Sequence, residues 1–239
     1  MYYDLHIHSA LSPCGDDTMT INNIFNMSYI KGLELIAITD HNSLKQQNYL
    51  EEIINHEILK GKIDYIHGVE LQSKEEIHIL AYFLKDTDLK PIQAWIDSYL
   101  IKVPNDPDYY GNQYIFNVND EIIDHEDNLL ISSLDLDIYQ IIETIHSFNG
   151  IAVLAHVLAK KFGIYEIYQG IPDDLAYDGI EVGNLRELKE LKKRCPSVRC
   201  EHVFYNSDAH NLEAINEPVN QINNCLLYTS PSPRDGATS

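Results

Sequence analysis

The chain has 239 residues, 37 acidic and 17 basic, with a formal net charge of −20 and 44% hydrophobic residues. That length supports one sizeable core, and the acidity argues against a protein that coats nucleic acid or an anionic membrane. There is no apolar run of about 18 residues and no basic leader followed by an apolar stretch, so neither a membrane span nor a signal peptide is expected, and a cytoplasmic location follows.

In chain order the pattern is strand, loop, helix, repeated. Tyr3–His8 alternates as a strand. Ile21–Ile30 has helical spacing, with Thr20 as N-cap and Gly32 just past the end. Leu35–Thr39 is an apolar run suited to a buried parallel strand. Leu44–Leu59 reads as helix ended by Gly61, Ile63–Leu71 and Ile77–Leu84 as strands, and Leu89–Ile101 as helix. Residues 102–128, with Pro104, Pro107 and Gly111, read as an excursion from the core with a hairpin near Tyr114–Asp124. Ile138–Phe148 (helix), Ile151–Ala155 (strand), Gly179–Val182 (strand), Leu185–Arg194 (helix) and Val198–Asn206 (strand) complete the order. Repeated βα units imply a parallel sheet, whose ligands gather at the C-terminal strand ends.

That rule makes a test. His6, His8, His41, Glu70, His156, Asp208 and His210 all fall at or just past predicted strand ends, whereas His78 lies within a predicted strand and fits less well. His6 and His8 form an HxH pair, and residues i and i+2 of a strand share a face. Asp40 is placed to orient a ligand imidazole, and Asp16 lies on the loop after His8. Glu70 is a carboxylate able to bridge two ions. Each alone also fits an ordinary surface or core residue. Six histidines and three carboxylates converging on one sheet end suit two or three zinc, manganese or iron ions. The four cysteines form no CxxC pair, so no structural zinc knot is expected, and Cys14 reads as a free buried thiol.

The segments DLHIHS (4–9), ITDHNS (38–43), GVE (68–70), EEIHIL (75–80), AH (155–156) and SDAH (207–210) together resemble the PHP family, the polymerase and histidinol phosphatase superfamily, in its stand-alone bacterial form. The resemblance implies a single-domain α/β fold, a distorted seven-stranded, TIM-like (β/α) barrel over residues 1–224, with a trinuclear site. It implies that His6, His8, Glu70 and Asp208 hold one ion, that Glu70 bridges to a second held by His78 and His156, and that Asp16, His41 and His210 take a third. Asp17 is adjacent to Asp16 and competes for that place. Relatives often carry an arginine after the equivalent of His156; here Lys160 and Lys161 would have to meet phosphate instead.

The expected activity is hydrolysis of a small phosphate ester, histidinol-phosphate-like or a nucleotide, by a metal-bridging hydroxide, with His8, Glu70 and Asp208 as the catalytic residues. No stable nucleic-acid partner is expected. The alternatives are a metal-dependent amidohydrolase and a catalytically weak metal-binding regulatory module. Cys225–Asp235, CLLYTSPSPRD, resembles the in-frame translation of a sequencing-library adapter, continued by Gly236–Ser239. Residues 225–239 are therefore set aside, and the natural C-terminus is expected to be missing.

Overall fold

The computed structural model describes residues 1–222; the segment 225–239 lies outside them. In chain order the elements are β1 (Tyr3–Ile7), α1 (Ile21–Lys31), β2 (Leu35–Ile38), α2 (Leu50–Ile54), β3 (Asp64–Tyr65), β4 (His67–Gln72), β5 (His78–Phe83), α3 (Leu89–Tyr99), α4 (Pro107–Tyr110), β6 (Tyr114–Phe116), β7 (Ile122–His125), α5 (Ile138–Ser147), β8 (Ile151–Leu154), α6 (Ile164–Tyr168), β9 (Gly179–Glu181), α7 (Leu185–Arg194) and β10 (Val203–Phe204). Local chemistry sets several boundaries. The Thr20 hydroxyl accepts from the Asn23 N–H at the start of α1, and Gly32 ends it in a left-handed conformation, φ 89°. Asp137 and Gln140 form a reciprocal capping box on α5.

Among the described residues the strands form two main sheets, not one closed seven-stranded barrel. One has the order β1–β2–β3, all parallel; the other has the order β10–β9–β8–β5–β4. The expectation of a wholly parallel sheet is also corrected, because β5 runs antiparallel to both β4 and β8. The reason is the connection. Only Ser73–Ile77 joins β4 to β5, too short for a crossover, and such a link can only return the chain antiparallel.

This reversal resolves the anomaly at His78. Its strand starts where β4 ends, with His78 opposite Gln72, so His78 stands at the same sheet end as the residues that terminate the parallel strands.

The two sheets meet through isolated bridges, His41 with Glu70 and Ile7 with Ala209. Backbone hydrogen bonds secure these seams, from Asn42 N–H to Glu70 C=O and from His8 N–H to Ala209 C=O. Close approach at the first seam requires Gly68, since a Cβ there would stand 2.6 Å from Thr39 Cγ2. Three apolar clusters back the sheets. The largest lies under α3, α5 and α7, a second under α1 and α2, and a smaller one of Tyr3, Leu5, Leu80, Tyr82 and Val153 fills the space between the sheets.

Two expected elements shrink. Leu44–Leu59 supplies only a 3-10 turn, Lys45–Tyr49, and the short α2. Its Gln46 and Gln47 are buried and donate to the carbonyls of Phe116 and Ile38, which holds the segment to the strand ends. The strand expected over Val198–Asn206 is confined to β10, which among the described residues pairs only with β9. Residues 102–128 hold α4 and the β6–β7 hairpin. This excursion docks on the loop after the HxH pair, where the Tyr114 N–H donates to the Ala10 carbonyl.

Candidate metal centre

A bulge in β1 between Asp4 and Ile7 shifts its register. Tyr3 and Leu5 face the inner cluster, while Ile7 joins the outer one. His6 and His8, both fully buried, turn toward the ends of β4 and β5. Three residues at strand exits sit in the left-handed region, Asn42 (φ 46°), His156 (φ 27°) and Asp208 (φ 53°). Such backbone costs roughly 1–3 kcal/mol per residue, and it clusters where side chains must be aimed.

Five imidazoles surround one buried carboxylate. Glu70 Oε1 lies 2.9 Å from His78 Nδ1, 3.2 Å from His156 Nε2 and 3.3 Å from His6 Nε2; Oε2 lies 3.0 Å from His41 Nδ1 and 3.4 Å from His8 Nε2. Asp208 Oδ1 lies 3.2 Å from both His6 Nε2 and His8 Nε2. His210 completes a third group with His8 and His41.

The donor set fits divalent cations. Ligands about 2.1 Å from one ion stand roughly 3.0–3.4 Å apart, and the separations here fall close to that range. His41 Nδ1 and Asp208 Oδ1 are buried and make no hydrogen bond despite neighbours at 3.0 and 3.2 Å. Close contact without hydrogen-bond direction is the arrangement of groups aimed at a shared centre.

The far nitrogens are committed. His6 Nδ1 donates to Glu181, at 3.1 and 3.0 Å from its two oxygens. His8 Nδ1 donates to Ser12 Oγ at 2.9 Å, and Ser12 Oγ in turn donates to Asp40 Oδ1 at 2.8 Å. His78 Nε2 donates to Gln72 Oε1 at 3.0 Å. Each tie leaves the opposite nitrogen's lone pair facing the cluster. Asp40 thus orients a ligand through a serine; it also accepts from the Ser9 N–H and hydroxyl.

Electrostatics divide the imidazoles. Burial drives His8 down to about 3, helped by His41 beside it, and burial drives His78 down to about 4 against the pull of Glu70. Burial also opposes charge on His41, yet Glu70 outweighs it and lifts the imidazole to about 10; Glu181, Asp208 and Glu70 together raise His6 well above its ordinary value against burial. Without metal, these shifts favour the charged imidazolium at His6 and His41 and the neutral, singly protonated imidazole at His8 and His78.

Asp16 departs from its expected place. Its carboxylate is exposed and accepts from the Thr18 N–H and hydroxyl, although its own N–H donates to the His210 carbonyl. The neighbouring Asp17 accepts from Asn112. Cys14 is exposed at the loop, not buried as the composition suggests. Partial desolvation of the thiol raises it, but the His210 and His41 imidazoles facing it bring it down to about 7. Lys160 and Lys161 are exposed on the loop after His156 and form no ion pair among the described residues. Glu181, Ser12 and Gln72 escaped the sequence reading. Glu181 had a signal, since it closes the short apolar strand Gly179–Glu181 as a lone carboxylate; Ser12 and Gln72 had none.

Comparisons with known proteins agree with this geometry. The family model described as PHP domain matches residues 4–168, and the chain belongs to that family, whose members are metal-dependent hydrolases. A search of curated protein sequences finds no match. Among solved structures, the lesion-specific endonuclease from Pyrococcus furiosus superposes with a TM-score of 0.62 at 20% identity, over 88% of this chain and 48% of the endonuclease. The chain thus spans about half the length of that enzyme. A protein from Bifidobacterium adolescentis, described as a metal-dependent phosphoesterase, superposes with a TM-score of 0.60 at 14% identity over 87% of both chains. An amidohydrolase from Chromobacterium violaceum gives a TM-score of 0.54 at 15% identity over 90% of both chains. At these identities the likeness is one of fold.

Proposed function

We propose that the protein is a metal-dependent phosphoesterase acting on a small phosphate ester, a histidinol-phosphate-like compound or a nucleotide. The observation that carries this reading is Glu70, a buried carboxylate with five imidazole nitrogens within 3.4 Å. Such a centre suits two or three zinc, manganese or iron ions. His6, His8, Glu70 and Asp208 would hold one, Glu70 with His78 and His156 a second, and His41 with His210 the third.

Bound ions would supply a nucleophilic hydroxide at neutral pH and offset charge on the phosphoryl oxygens, which lets an acidic protein handle an anionic substrate. The chain's own residues do the rest. Glu70 lies between the two inner groups and sets their spacing. His8, neutral because of burial, keeps a lone pair on Nε2 at ordinary pH. Asp208, His210 and His156 are the solvent-facing members, with side chains 40%, 30% and 21% exposed, so substrate approaches over them. Lys160 and Lys161 are the cations that the loop after His156 offers to an incoming phosphate.

The endonuclease likeness weakens the expectation of a small substrate and no nucleic acid, because a phosphodiester within a nucleic acid demands the same chemistry. The net charge of −20 still favours a small ester over a long duplex. The amidohydrolase likeness keeps carbonyl substrates as the second reading. No helix among the described residues is long and apolar enough to cross a membrane.

The test is elemental analysis of the purified protein together with p-nitrophenyl phosphate hydrolysis in manganese, before and after chelation. Two or three ions per chain with chelator-sensitive turnover are expected. Folded protein that binds at most one ion and is inactive rejects the reading. Turnover of amides or lactones with none of phosphate esters moves the assignment to the amidohydrolase class.

A further inference from the structure

Glu181 ends β9 with its carboxylate 4% exposed. Every polar neighbour donates to it. His6 Nδ1 lies 3.1 Å from Oε1 and 3.0 Å from Oε2, the His156 backbone N–H donates to Oε1 at 3.0 Å, and Asn206 Nδ2 donates to Oε2 at 2.6 Å. These partners come from three separate places: β1, the exit of β8 and the exit of β10. Two of them belong to candidate ligands themselves.

We infer that Glu181 is a positioning residue of the metal centre, holding His6 in the Nδ1–H form and the His156 turn in register with it. This inference rests on the metal-centre reading above and adds a residue that the motif pattern does not include. A carboxylate accepts at both oxygens, whereas an amide accepts at one and donates from the other. Asn206 cannot turn its amide to suit a glutamine, because its Oδ1 already accepts the Leu5 N–H at 3.0 Å. The His156 N–H is backbone and has no alternative. A glutamine at 181 therefore sets a donor against a donor whichever way it turns. A direct carboxylate partner also makes an imidazole a stronger metal donor, and loss of such a partner typically weakens metal affinity roughly 10- to 100-fold.

The contrast with His8 sharpens the inference. Asp40 reaches His8 only through the neutral Ser12 hydroxyl, so the two members of the HxH pair have unequal support. His6, with its carboxylate in direct contact, is the stronger donor.

The experiment compares zinc affinity of the wild-type full chain and E181Q by chelator competition. It is joined by proton NMR of the zinc-loaded wild-type protein with histidine labelled by nitrogen-15. E181Q is expected to bind zinc about 10- to 100-fold more weakly. The His6 Nδ1 proton of the wild type is expected to be slowly exchanging and shifted downfield by the carboxylate. E181Q with wild-type affinity overturns the assignment. Should E181Q fail to fold, the wild-type spectrum decides alone, and a rapidly exchanging His6 Nδ1 proton overturns it. Wild-type protein that takes up no zinc removes the metal-centre reading as well; wild-type uptake matched by E181Q removes only the role of Glu181.

Discussion

The candidate centre has two unlike halves. The inner half gathers His6, His8, His41, His78 and His156 around Glu70, with Glu181, Gln72 and the Asp40–Ser12 pair bracing the histidines from behind. The outer half is His8, His41 and His210 at the rim, all imidazole, with Asp16 turned to Thr18 and Cys14 close by. The inner half is built from strand ends fixed on both sides by sheet seams. The outer half borrows two of its three members from the inner one and completes itself with residues on loops. Ligand charge and preorganisation therefore both fall from inside to outside, and so should metal affinity.

The largest expected effect tests the inner half. E70A removes the carboxylate that both inner groups share. Metal content should fall to one ion or fewer per chain, an affinity loss beyond the roughly 100-fold typical of residues that only brace a ligand. Near-normal metal content in E70A would erase the distinction between the halves.

Next comes pH. Metal must displace the protons that Glu70 and its neighbours hold on His41 and His6, so binding should release protons and tighten from pH 6 to pH 8. Titration calorimetry in buffers of different ionisation enthalpy reads the protons directly; a release of zero would contradict the proton assignment. The metal-free protein carries a second signature. His8, with a folded pKa of about 3 against an ordinary 6.5, stays neutral while the unfolded chain takes up a proton. Its contribution lowers stability as pH falls from about 6.5 toward 3. His41 acts oppositely, contributing stability that is full below about 6.5 and lost as pH rises toward 10. Denaturant melts of wild type and H8A across pH 4–7 separate the first effect, which should vanish in the variant.

A smaller effect is expected at the rim. H210A should lose the most weakly held ion, measured as one ion fewer per chain after dialysis, while the inner ions remain. Loss of all metal would show that the two halves are one cooperative unit.

The smallest effect belongs to Asp16. With its carboxylate serving Thr18, D16A should keep the wild-type metal count and shift stability by no more than about 0.5 kcal/mol. A lost ion in D16A would mean that the loop closes on metal and would restore the arrangement inferred from the motifs.

The inner half was the more legible in the sequence, for a physical reason. Strand ends are marked locally by apolar runs, and six histidines with Glu70 and Asp208 fall at or near such ends. His78 looked misplaced because the direction of its strand depends on the short link before it. Glu181 was overlooked although it closes a short apolar strand. A distorted seven-stranded barrel was expected by resemblance, whereas among the described residues the strands form two main sheets joined by single bridges.

By itself the sequence determined the donor types, their order along the chain, most of the strands and helices that carry them, and the family. Only the tertiary structure decided which nitrogen of each imidazole faces the centre, which carboxylates brace and which converge, and where Asp16 points. Those outcomes depend on contacts between residues such as His6 and Glu181, 175 positions apart. Strand periodicity is a property of a few neighbouring residues. The pairing of distant strand ends is set by sheet order, by a bulge in β1 and by the left-handed turns at His156 and Asp208, which no local pattern encodes.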